Sequence, residues 1–351
     1  EPRPTYVLER GLYSERGEEV EVGVPASILP FAKQLPKNRL GLAQWLFDND
    51  NPLTARVFVN RIWMMHFGRG LVKTAEDFGN QGDLPSHPDL LDWLAHDFMT
   101  HGWDIKRLHK QIMLSAAYQQ SSAITPEALE KDPENIWLAR GPNLRLTAEM
   151  LRDNALAISG LLEKRVGGSS VYPYQPQGLW DELTTKGWAY KYPDEATEGI
   201  YRRSLYTFWK RQSPHPAMQI FDIANRDVCT VRRRVSNTPL QALILLNDPQ
   251  FVEASRKLAE QVLTQTSKPS QQVERVFRLC TSRSPDQTEL DWLLAFYEQE
   301  RTKFSANPQK ALAYLNTGKS PWNQQLDPVE IAALGVVSNT ILNTDEAIMN
   351  R

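Results

Sequence analysis

Arginines and histidines are the residues in this chain whose placement points toward chemistry. Arg226, Arg232, Arg233 and Arg234 gather in FDIANRDVCTVRRRVSN, with Asp222 and Asp227 close by and Arg202 and Arg203 upstream. A guanidinium fork suits sulfate, carboxylate or phosphate, so Arg203, Asp222, Arg232 and Arg233 are candidates for gripping an anionic group. The same residues also fit a second role, tying helix C-termini and the Asp222 loop to the body, because three consecutive arginines cannot all face one way. Five of the six histidines (His66, His87, His96, His101 and His109) fall between 66 and 109. A metal site needs ligands converging at ~2.0–2.1 Å, usually with i, i+3 or i, i+4 spacing. His87 and His96 are nine apart and His101 and His109 eight apart, so no pair has the HExxH form. They read as satisfied core or capping histidines, and no metal is expected.

A third group of polar residues lies in NPLTARVFVNRIWMMHFGRGLVKTAEDFGNQGDLPSHPDLLDWLAHDF, residues 51–98. Asn51-Pro52 is a helix-start signal, and Leu53–Phe67 reads as a helix apolar over most of its surface. Such a helix is expected to be buried within a larger body. Arg56 and Asn60, four apart, share a face. Gly68 and Gly70 flank Arg69 and end the helix. Ser86 with Asp89 resembles a capping box for the next helix. In one reading Arg56, Arg61 and Arg69 are held by Asp77, Asp83 or helix-end carbonyls, fixing a rigid connector. In the other, Arg56, Arg69, Asp77 and His87 line a cleft for an anionic substrate. Buried charges must be paired in either case, so pairing alone does not decide.

These residues must be positioned by helices. Residues 1–38 are expected to form an extended arm with one short strand, laid over a single large helical domain at 39–351. Possible halves of that domain are 39–165 and 201–351, joined by an aromatic loop at 166–200. Helices are predicted at 41–48, from Asp104 through Gln119, from Pro126, and from Thr147 through Lys164. Further helices follow at 239–246, 249–264, 271–281, 286–304 and 328–342. Several carry a capping residue and Pro at the first position. Arg202–Trp209 is the best strand candidate. The fold class is therefore mainly α, an irregular multi-helix body with a small β element and long loops. The aromatic loop carries Trp180, Trp188 and Tyr190, which suit either sugar stacking or packing against a partner domain.

Composition narrows the function. The net charge is −2, which argues against a generally basic nucleic-acid-binding surface. No apolar run approaches the ~20 residues that span a bilayer. The two cysteines, Cys229 and Cys280, belong to no CxxCH string, so the chain has no attachment motif for a c-type haem. Cys229 fits either a reactive thiol or, the commoner fate, a small buried filler. No GxSxG, P-loop or dinucleotide fingerprint is present.

LAQWLFDNDNPLTARVFVNRIWMMHFGRGLVKTAEDFGNQGDLPSHPDLLDWLA, GWDIKRLHKQIMLSAAYQQSS, RLTAEMLRD, YRRSLYTFWKR, FDIANRDVCTVRRRVSNTPLQALILLNDPQFVEASRKLAE and the closing LNTDEAIMNR resemble the planctomycete cytochrome-associated C-terminal domain, domain of unknown function 1553. The likeness covers nearly the whole chain. It implies a module of an exported multidomain protein, periplasmic or at the cell surface, with any haem c on an N-terminal domain outside this chain. The implied partners are the N-terminal domains of the same precursor, a cytochrome c domain among them. The resemblance supplies no reaction. Two functions are carried forward: a non-haem scaffold or docking surface for the redox portion, and an enzyme or binding module for an acidic extracellular polysaccharide.

Overall fold

The computed structural model describes residues 3–180, 192–193 and 197–350. Among the described residues helix accounts for 46% and strand for 5%, so the expected mainly α class holds. The chain divides into two compact units, 1–142 and 143–351.

The first unit opens with β1 (Thr5–Leu8) and β2 (Arg16–Val20), an antiparallel hairpin where the sequence suggested an arm with one strand. Four helices form its body: α1 (Arg39–Leu46), α2 (Thr54–Phe67), α3 (Pro88–Thr100) and α4 (Ile105–Met113). A short α5 (Pro126–Lys131) follows. Asn51 works as the sequence indicated, its Oδ1 accepting the N–H groups of Leu53 and Thr54. Gly68, at φ +77°, closes α2 with its N–H on Met64 O. Val59, Ile62 and Trp63 pack against Leu91, Leu94 and Phe98 of α3 and Leu108 and Ile112 of α4.

Three local expectations change. α2 is buried along one flank only, for Arg61 is exposed and Met65 is 60% exposed. Ser86 makes no capping box, because its hydroxyl turns to Leu71 O and the His87 ring while His87 itself precedes α3. α4 stops at Met113 rather than Gln119, where Ser115 Oγ donates to Ile112 O and breaks the ladder.

The second unit joins α6 (Ala148–Ile158), α7 (Thr197–Ile200), α8 (Pro216–Ile220), α9 (Pro239–Asn247) and α10 (Pro249–Leu263). They are followed by α11 (Pro269–Thr281), α12 (Gln287–Ala306), α13 (Pro308–Leu315) and α14 (Pro328–Leu342). β3 (Leu144–Arg145) pairs antiparallel with β4 (Met349–Asn350). Most of these helices start on proline, whose missing N–H costs nothing there. α10 and α14 form the centre. Leu258, Val262, Leu334, Val337 and Ile341 are fully or almost fully buried, with α11 and α12 packed on them through Val273, Val276 and Tyr297.

α6 ends six residues early, at Ile158. Gly160 takes φ +74°, and the N–H groups of Leu161 and Leu162 return to Leu156 O. α13 was not anticipated, although Asn307 caps it and Pro308 opens it.

The strand expected at 202–209 is absent. A single 3₁₀ turn at Ser204–Tyr206 stands there, with isolated bridges from Arg202 to Glu163 and from Thr207 to Val171. Side chains have taken the backbone groups that a ladder needs: Arg152 binds Arg202 O, and Asp153 accepts the Ser204 N–H.

Candidate functional site

In the first unit Arg56, Arg69, Asp77 and His87 are each committed to a contact within the unit. Arg56 on α2 donates from Nε to Asp92 Oδ1 on α3 at 2.6 Å and from Nη1 to Pro52 O at 2.6 Å. Arg69 pairs with Glu134, which also takes Lys73 Nζ at 3.1 Å. Asp77 holds no arginine among these contacts. Its Oδ1 accepts the Gly79 N–H at 2.7 Å and shapes the loop turn. The His87 ring takes a hydrogen bond at 3.0 Å with Ser86 and lies 6.3 Å, centroid to centroid, from Trp137.

The loop is fixed to α2 by Asn60 rather than by arginines. Fully buried Asn60 donates to Val72 O at 3.0 Å and accepts from Val72 N at 2.9 Å.

Of the histidines, only His66 and His109 meet, with Nε2 and Nδ1 2.8 Å apart. Partial burial, then the neighbouring His109, lowers the His66 pKa. Among the described residues no group of three or more His, Cys, Asp or Glu is placed to hold a metal.

In the second unit the arginine run splits up. Arg233 makes a bidentate pair with Glu149 of α6, at 2.6 and 3.0 Å. Asp222, at φ +60°, turns away from the arginines and accepts from Ser236 N and Oγ, each at 2.7 Å. Arg203 lies 5.8 Å from the Tyr206 ring centroid, and Arg232 and Arg234 are exposed. Arg226 stacks on Trp209 at 4.5 Å, and Arg211 takes Asp227 at 3.0 Å. Arg202 extends no basic pocket. It is buried over the Tyr206 ring at 3.8 Å and donates to the carbonyls of Arg165, Gly167 and Ser169.

Trp180 is not an open platform either. It is buried among Tyr172, Tyr192 and Phe208, with Lys210 Nζ 3.9 Å from its ring centroid. Trp188 and Tyr190 lie outside the described residues. Cys229 is exposed rather than a buried filler. Cys280 is the buried thiol, its pKa pushed up to about 12 by desolvation.

A buried polar cluster around Arg152 went unmarked in the sequence. Arg152 of α6 is buried and donates to four acceptors: Nη1 to Arg202 O at 2.9 Å and Ser204 Oγ at 3.2 Å, and Nη2 to Gln250 Oε1 at 3.0 Å and to Ile200 O. His215, also buried, donates from Nε2 to Tyr174 O at 2.7 Å, which leaves Nδ1 as an unpartnered lone pair. Desolvation, reinforced by the Arg152 charge, pushes the His215 pKa down to about 4.

Arg152, Tyr174, His215, Asp248 and Gln250 line a cavity of about 10 Å³, room for about one water molecule. A histidine held neutral beside so small a space is poorly placed for proton transfer near neutral pH. The cluster acts as a lock between α6, the 200–204 turn and α10. Its signal in the sequence was Arg152 at helical spacing from Ala148 and Ala155, a charge on an apolar face.

The surface offers a contrasting feature. α9 reads PLQALILLN and carries no charge. Gln241 and Leu245 point inward, and Gln241 Nε2 ties the helix to Ile220 O at 2.8 Å. Leu240, Leu243 and Leu246, at i, i+3 and i+6, remain 57%, 56% and 41% exposed. Surface helices ordinarily place charged residues on such a face, and this one carries none.

The fold and these contacts define a helical module with buried polar locks and an uncovered leucine face. Residues 38–297 match the family described as PSD1, Protein of unknown function (DUF1553), and the chain belongs to that family. No curated protein matches the chain, and no solved structure matches it.

Proposed function

We propose that this chain is a non-haem docking module of an exported, cytochrome c-associated multidomain protein at the periplasm or cell surface. Its partners are the N-terminal domains of the same precursor, which carry any haem. The observation that carries this reading is the uncharged leucine face of α9, preceded by the exposed segment with Val228 and Val235. Covering three half-exposed leucines contributes roughly 1 kcal/mol each, enough to hold a tethered domain in place. An acidic-polysaccharide cleft is the weaker reading, because Arg56, Arg69 and Arg233 already carry carboxylate partners.

The test is amide hydrogen exchange of residues 239–247 in the full-length native protein and in this chain alone. Docking predicts slower exchange there in the full-length protein. Identical exchange in the two removes the reading.

A further inference from the structure

The exposed arginines that flank α9 in sequence all lie on its N-terminal side. Reading back from α9, the chain passes Val235 to Arg234, Arg233 and Arg232, and then to Arg226. All four arginines are exposed. Among the described residues, Asp222 accepts from Ser236 and Asp227 takes Arg211, while Glu149 pairs with Arg233 of this run. Arg226 keeps its cation on the Trp209 face, and Arg234 stands four residues before the helix cap, Thr238.

The N-terminus of α9 adds the positive end of a nine-residue helix to the same side. The segment is rigidly presented: Ser236 is bonded to Asp222, and Thr238 and Gln241 form a capping box at the helix start. At the opposite end, Asn247 is neutral and Asp248 is turned into its own cap.

Resting on the docking reading, we infer that α9 and its arginine rim receive an acidic amphipathic helix of the partner protein. The leucine ridge at i, i+3, i+6 takes the partner's apolar stripe, as one helix packs on another. The partner's Asp and Glu residues lie toward the N-terminal end of α9, facing Arg226 and Arg234, where opposite charges set register and orientation. A second copy of this chain paired in parallel through this face would bring two arginine rims together, and an antiparallel copy is the outcome that sedimentation reads.

The experiment uses fluorescein-labelled amphipathic peptides with one leucine spacing and Glu, Gln or Lys at the polar positions. Each is titrated against the whole chain by anisotropy. The Glu peptide binds best, and Leu243→Asp and Arg234→Glu each weaken it about tenfold or more, with the effect of Arg234→Glu fading in high salt. Unchanged near-ultraviolet circular dichroism certifies that both variants, at exposed positions, remain folded.

Equal Leu243-dependent binding of the Glu and Gln peptides overturns the acidic assignment and leaves the docking reading intact. Failure of all three peptides overturns the inference, and the exchange measurement then judges the docking reading separately. Leu243-dependent dimerisation in sedimentation, or Leu243-dependent binding to phosphatidylserine vesicles without peptide binding, overturns it in favour of those occupants.

Discussion

Arg152 brings a full charge into the second unit, where Asp153 Oδ1 lies 3.6 Å from its Nη1 and four other acceptors surround the guanidinium. Removing a buried charge that satisfies that many acceptors leaves them unpaired and costs about 3 kcal/mol or more. Arg152→Met is therefore expected to lower the urea midpoint sharply. A midpoint within error of the wild type would show that the lock carries no stability.

His215 makes a separate prediction through pH. Its folded pKa of about 4 lies below the ordinary 6.5, so between those values the unfolded chain binds the extra proton. Stability from this group is complete above about pH 6.5 and falls as the pH drops toward 4, by up to ~3 kcal/mol. His215→Gln should flatten the stability–pH curve across that window. An unchanged slope would mean that His215 titrates normally.

At the scale of elements, the α2–loop junction depends on Asn60, which satisfies both backbone groups of Val72. Asn60→Ala leaves those groups buried and unpaired and is expected to cost about 2–3 kcal/mol. Gly70 is next to it, where an added Cβ would come within 2.6 Å of Asn60 Nδ2 and 2.5 Å of Val72 O. Gly70→Ala should thus destabilise the same unit, measured as a loss of melting temperature. No change in either variant would refute this account of the junction.

Helix starts such as those at Asn51, Asp104, Thr147 and Asp327 were readable, because caps and prolines act locally. Helix ends at Met113 and Ile158 were not, since a serine hydroxyl and a left-handed glycine stop helices whose apolar spacing continues. The Arg202–Trp209 segment has strand composition but no neighbouring ladder, and tertiary contacts from Arg152 and Asp153 override that propensity.

For the whole molecule, the family and the mainly α class were legible because long specific strings and repeated capping signals agree. The candidate site was less so. Arginine and histidine clusters in the sequence do not reveal which carboxylate each will meet, and Asp92, Glu134 and Glu149 are distant in sequence from Arg56, Arg69 and Arg233. α9 was legible only as a helix at 239–246, and the exposure of its leucine face needed the tertiary structure.

The central claim is that this face holds the rest of a larger protein. Calorimetric titration of the chain with the proposed N-terminal partner domains, produced separately, tests it most directly. The account predicts saturable binding that Leu243→Asp abolishes while the melting temperature of the chain stays the same. Binding of equal strength by wild type and Leu243→Asp, or no binding by either, would contradict it.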